Sequence, residues 1–220
     1  MTSPLPRSAP IHPRRPTVAG PAPLPRSFFE RPTEEVARDL LGKVIVRRTE
    51  RPDVRMARIV EVEAYLGLAD AASHARRGPT PRSALMVGAP GHAYVYFVYG
   101  MHHCLNFVTE PQGVAGAVLI RAAEPLDDGT GPTALRGPGR LCRGLSITIA
   151  DKGVDLCARG AGLQVVDDGE PRPRVARSAR IGVDYSGPRW SRRRLRFYVP
   201  DSPAVSGSTR FSRALVARPR

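Results

Sequence analysis

The sequence predicts a mixed α/β domain built around a mostly antiparallel sheet. Short runs of β-branched and aromatic residues recur along it, separated by Gly, Pro, Asn and Asp turns, which is how strands joined by tight connections read. Stretches with helical periodicity are few. A chain of 220 residues is also long enough to bury one substantial core without needing a second domain.

The elements follow in order. Residues 1–26 hold eight prolines with scattered arginines and little apolar material, so they predict a disordered, polyproline-like tail. Order is expected from Phe28-Phe29, giving a domain over residues 27–205 and a basic C-terminal tail over 206–220. Pro32-Thr33-Glu34-Glu35 opens a helix with acids in its first turn. Val36, Leu40 and Leu41 give that helix an apolar face, and Gly42 stops it. Strands are expected over Lys43–Arg48 and Val54–Leu66. A hairpin pairs Ala93–Tyr99 with His103–Thr109 across Gly100. The apolar run Ala115–Ile120 ends at Arg121, Pro138–Leu145 forms a short helix after a Gly-Pro-Gly turn, and Leu195–Val199 is a late strand.

Composition narrows the class. No apolar stretch approaches the ~20 residues of a membrane helix, so no membrane partner is expected. The first residues lack the apolar core of a secretory signal. Cys104, Cys142 and Cys157 are odd in number with no Cys-x-x-Cys pair, which fits a reducing cytoplasm without disulfides or a zinc ribbon. The formal charge of +14 sits at the ends: residues 172–220 carry thirteen arginines against Asp184 and Asp201. Such an excess favours polyanions through counterion release. Arginine is also this chain's habitual base, since Lys43 and Lys152 are its only lysines.

Three segments could carry chemistry. In the strand Arg58–Leu66, alternation puts Val60, Val62, Ala64 and Leu66 on a core face and Ile59, Glu61, Glu63 and Tyr65 on the other. Two carboxylates and a phenol on one face suit either a solvated surface or a cleft wall, and alternation does not choose between Glu61 and Glu63. The run Tyr94–Gly100 concentrates three of the six tyrosines. It reads as a core strand or as a base-stacking surface, with Tyr99 at a hairpin tip. His74, His102 and His103 do not make a metal site: adjacent strand residues face opposite ways, and the zinc-deaminase signature is absent. No phosphate-binding loop or Gly-x-Ser-x-Gly appears.

These segments, taken together, resemble the alkyladenine (3-methyladenine) DNA glycosylase family from about Phe28 to Ser202. The ordered motifs are Glu61–Gly67, His74, Thr80-Pro81-Arg82, Pro90-Gly91-His92, Tyr94–Met101, Cys104-Leu105-Asn106, Leu119-Ile120-Arg121, Glu124-Pro125, Gly137–Cys142 and Leu195–Val199. The resemblance implies a compact single domain around a curved antiparallel sheet with a protruding hairpin and peripheral helices, and no metal or cofactor. It implies Glu63 as general base with Arg121 beside the water, and Tyr65, His74 and Tyr96 as walls around a flipped purine. Asn106 then screens the base, and Tyr99 enters the duplex gap. The implied activity is hydrolysis of the bond between a damaged purine and its sugar in double-stranded DNA, by a monomer in the cytoplasm, at the nucleoid in a bacterium. With no lysine in the pocket motifs, no lyase step follows and the product is an intact abasic strand. Ser83, Gly144 and a short segment after Asp127 depart from the family pattern without touching a pocket position. A damaged-DNA-binding protein without chemistry is the alternative, and the identity of the lesion stays open.

Overall fold

The computed structural model describes residues 21–49, 53–78, 80–127 and 130–207. Two short helices open the fold, α1 (Arg26–Phe29) and α2 (Thr33–Leu40). As expected, α2 has Glu34 and Glu35 in its first turn. Gly42, at φ 89°, turns the chain out of it. The strands are β1 (Val44–Arg48), β2 (Val54–Tyr65), β3 (Ala93–Val98), β4 (His102–Val108), β5 (Ala117–Pro125), β6 (Leu163–Val166), β7 (Ala176–Ser178) and β8 (Arg196–Tyr198). Helices α3 (Pro138–Gly144) and α4 (Pro188–Ser191) lie between them in the chain. All pairings are antiparallel, in the order β3-β4-β5-β2-β1-β6, with β8 joining β2 and β7 joining β8.

The position of β2 organises the site. One edge pairs with β5 along most of its length; the other pairs first with β1 and then, over Glu61–Glu63, with β8. The carboxylates therefore sit mid-sheet with both strand edges covered. Alternation fails inside this strand. The register shifts between Ile59 and Val62, so Ile59 joins Val62 and Ala64 in the main core. Val60 instead packs with Ala122 and Ala204 on another side. A bulge re-aims the residues after it, and the face expected from strict alternation is wrong by one position at Ile59 and Val60. Arg121 is left out of the same register, between Ala122 and Ile120.

Other differences are of extent. β5 runs through Arg121 to Pro125 rather than ending at Ile120. β6 and β7 were not anticipated, because neither short segment alternates. Packing begins upstream of Phe28: the Leu24 amide donates to the Val165 carbonyl at 2.7 Å, and Leu24 is buried. The rest of the expected tail, residues 1–20, lies outside the described residues, as does 208–220. Ser206, placed with the C-terminal tail by sequence, is buried against Glu61. No described helix is long and apolar enough to cross a membrane.

Candidate active site

Glu61 and Glu63 are both fully buried, yet they are held differently. Glu61 Oε1 accepts from Arg121 Nε at 3.0 Å, Arg196 Nε at 2.6 Å and Ser206 Oγ at 2.9 Å, while its Oε2 accepts the Ser206 amide at 2.5 Å. Two guanidiniums, a hydroxyl and a backbone amide thus saturate it. Glu63 Oε1 pairs with Arg121 Nη1 at 3.2 Å and accepts the Ile181 amide at 2.8 Å. Its Oε2 accepts the Tyr65 hydroxyl at 2.9 Å. Arg121 therefore bridges the two acids through different nitrogens, and its Nη2 reaches Ser206 Oγ at 3.2 Å. Burial opposes its charge, but Glu63 and Glu61 outweigh that and raise its pKa further above the usual arginine value.

Tyr65 connects this pair to a cleft. Tyr65, His74, Tyr96 and Asn106 line it together, with Tyr94 and Tyr185 alongside. Its free space is about 330 Å³ including the open mouth. Burial first, and then the Glu63 charge, raise the Tyr65 pKa well above the usual phenol value, so the hydroxyl stays protonated and donates. Behind the ring, Arg180 stands 4.6 Å from its centroid. Arg180 forms a fully buried bidentate pair with Asp70 at 2.5 and 2.8 Å and donates to the Ala64 carbonyl at 2.9 Å.

The other wall comes from β3. Tyr94 and Tyr96 lie on its cleft face, while Val95 belongs to the core. The His74 ring packs edge-on against Tyr96, with centroids 4.6 Å apart. Its Nδ1 hydrogen-bonds the Tyr94 hydroxyl at 2.9 Å. Burial, helped by the nearby Arg82 charge, lowers the His74 pKa to about 4, so the ring is neutral at physiological pH. The Asn106 amide donates to the Tyr94 carbonyl at 3.1 Å, which fixes its orientation on β4.

Five of the seven residues singled out from sequence are thus joined: Tyr65, His74, Tyr96 and Asn106 in the cleft, and Glu63 one hydrogen bond behind Tyr65. Arg121 stands behind Glu63 and does not line the cleft. Tyr99 is apart, 84% exposed at the tip of the β3–β4 hairpin with φ 54°. Sequence reasoning missed Arg180, Ile181, Arg196 and Ser206, which hold the acids from far along the chain. It treated the C-terminal arginines as candidate phosphate contacts. Arg172, Arg177, Arg180, Arg193 and Arg196 instead pair with Asp39, Glu34, Asp70, Glu34 and Glu61. The signal present in the sequence was Asp70, a lone acid in an otherwise apolar loop after β2.

A family model described as methylpurine-DNA glycosylase matches residues 27–203. A protein of Methanocella arvoryzae with the name "Putative 3-methyladenine DNA glycosylase" is 49% identical over 194 residues, covering 83% of this chain and 95% of that protein. Proteins with the same name from Anaeromyxobacter dehalogenans and Myxococcus xanthus are 51% and 47% identical, each across 83% of this chain, covering 86% and 93% of the relatives.

Proposed function

The chain belongs to the methylpurine-DNA glycosylase family of DNA-repair hydrolases acting on N-glycosyl bonds, and from that premise we propose that it flips a damaged purine into the Tyr65–Tyr96 cleft and releases it with water activated by Glu63. The observation that carries this reading is the Glu63–Tyr65 bond, which links a fixed, buried carboxylate to the cleft wall. Glu61 is buried as deeply, but its four hydrogen bonds come from Arg121, Arg196 and Ser206, none of which lines the cleft.

The chemistry follows from the arrangement. Extruding a nucleotide costs a few kcal/mol, less where damage has weakened its pairing. Stacking on tyrosine rings offsets about 1–3 kcal/mol of that cost. A carboxylate near C1′ then stabilises the positive charge that develops on the sugar and takes a proton from the attacking water. Arg121 and the Ile181 amide fix Oε1, so the carboxylate need not reorganise as charge develops. Tyr99 is assigned to the gap left in the duplex, because an exposed aromatic at a hairpin tip can wedge into a base stack. The protein acts as a monomer on duplex DNA.

Glu63→Gln is the test. Glutamine keeps an oxygen for Arg121 and the Ile181 amide but cannot take a proton. Single-turnover release from lesion-bearing duplexes should fall by about 10²–10⁴-fold, while gel-shift binding to the same duplexes persists. Wild-type release by this variant would remove Glu63 from the mechanism.

A further inference from the structure

Two of the four tyrosines lining the cleft, Tyr65 and Tyr96, carry a guanidinium against their rings, and the two arginines differ. Arg180, on Tyr65, is fully buried and neutralised by Asp70. Arg82 lies with its Cζ 4.9 Å from the Tyr96 centroid. It is exposed, donates to the Phe97 carbonyl at 3.3 Å, and forms no ion pair with a carboxylate among the described residues. The Tyr96 ring thus carries a guanidinium that is not tied to a carboxylate.

The face of a tyrosine attracts a cation through its quadrupole. On Tyr96 that attraction is already engaged by Arg82, so a second cation stacked on the ring meets a full positive charge as well. A base in ring contact would sit roughly 8 Å from the guanidinium, within about one Debye length, so salt does not erase the repulsion. A neutral purine stacks through dispersion and is indifferent to that charge. The neutral state of His74, whose ring touches Tyr96, is in keeping with the same field.

We propose that Arg82 is a specificity-determining residue that sorts bases by charge, disfavouring cationic N-alkylated purines relative to neutral damaged purines of similar size. The inference rests on the glycosylase reading above and concerns how that site ranks lesions of similar size: Arg82 shifts the balance towards neutral bases such as hypoxanthine or an etheno adduct.

The experiment compares specificity constants for release of 7-methylguanine, which is cationic, and hypoxanthine, which is neutral, from otherwise identical duplexes. Arg82→Met should raise the 7-methylguanine to hypoxanthine ratio by roughly three- to thirty-fold, as Coulomb repulsion over such a distance near a protein surface implies. Arg82→Lys, which keeps the charge, should retain the wild-type ratio. An unchanged ratio in Arg82→Met overturns the inference, including a uniform loss on both lesions, which would make Arg82 a phosphate contact. A methionine-like ratio in the lysine variant also overturns it, because the guanidinium plane and not the charge would then be responsible. If the unaltered chain released neither base, the glycosylase reading itself would fail and the inference with it.

Discussion

Glu61 and Glu63 stand two residues apart on β2 and share Arg121, yet they belong to two different regions of the molecule. The region around Glu61 is sealed: two arginines and the amide and hydroxyl of Ser206 converge on one carboxylate. The region around Glu63 is held just as firmly on one oxygen and opens, through Tyr65, onto a cleft on the other. The contrast separates a carboxylate that organises a site from one that can work in it. Charge and burial are the same for both, so the division of labour comes from where their partners lead.

The largest effect that would break this comparison is on stability. Glu61→Ala leaves Arg121 and Arg196 buried without their shared carboxylate, and removing one partner of a buried pair costs about 3–5 kcal/mol. For a domain of this size that lowers Tm by roughly 6–20 °C in thermal unfolding. Glu63→Gln should leave Tm within a few degrees while release falls by the orders of magnitude given above. Equal Tm losses in the two variants would mean that both acids are structural.

The sheet, its long strand β2, the hairpin and helices α2 and α3 were legible because each rests on local periodicity or turn chemistry. The four cleft residues were legible only through ordered motifs, since alternation alone left Glu61 and Glu63 equivalent. What could not be read was whatever arrives from far away. Ser206 and Glu61 are separated by 145 residues, and Ile181 and Glu63 by 118. Both late segments are irregular, held by tertiary hydrogen bonds rather than by a repeating pattern. The bulge near Val60 was equally hidden, because a register shift depends on the partner strand.

The two regions also treat their ionisable groups differently, and pH sharpens that difference. The sealed side pairs its charges, whereas the cleft wall keeps His74 neutral by burial, at a pKa of about 4 against an ordinary 6.5. Between those values the unfolded chain binds a proton that the folded chain refuses, so stability rises with pH. The contribution is complete above about pH 6.5 and is lost as pH falls toward 4. Tm measured across that window should fall more steeply for the wild type than for His74→Gln, in which the titrating ring is gone. Parallel curves would show that the ring binds its proton as readily in the folded protein as in the unfolded chain.

The smallest expected effect lies at the hairpin beside the cleft. Tyr99 holds φ 54°, and Gly100 follows at φ 64°. A non-glycine residue in the left-handed region costs roughly 1–2 kcal/mol, while glycine adopts it freely but loses about 0.5–1 kcal/mol of chain entropy on folding. Tyr99→Gly should therefore stabilise the fold by about 0.5 kcal/mol, a rise in Tm of roughly 1–2 °C. The same substitution removes an exposed ring that packs against nothing in the core, so capture of an extruded nucleotide should weaken, read as loss of fluorescence change from a base analogue opposite the lesion. Opposite signs in the two measurements would show that the tip carries strain for the sake of the duplex, unlike the sealed side, where every costly group is matched by a partner within the fold. If stability and capture both fell, Tyr99 would belong to the packing of the hairpin instead.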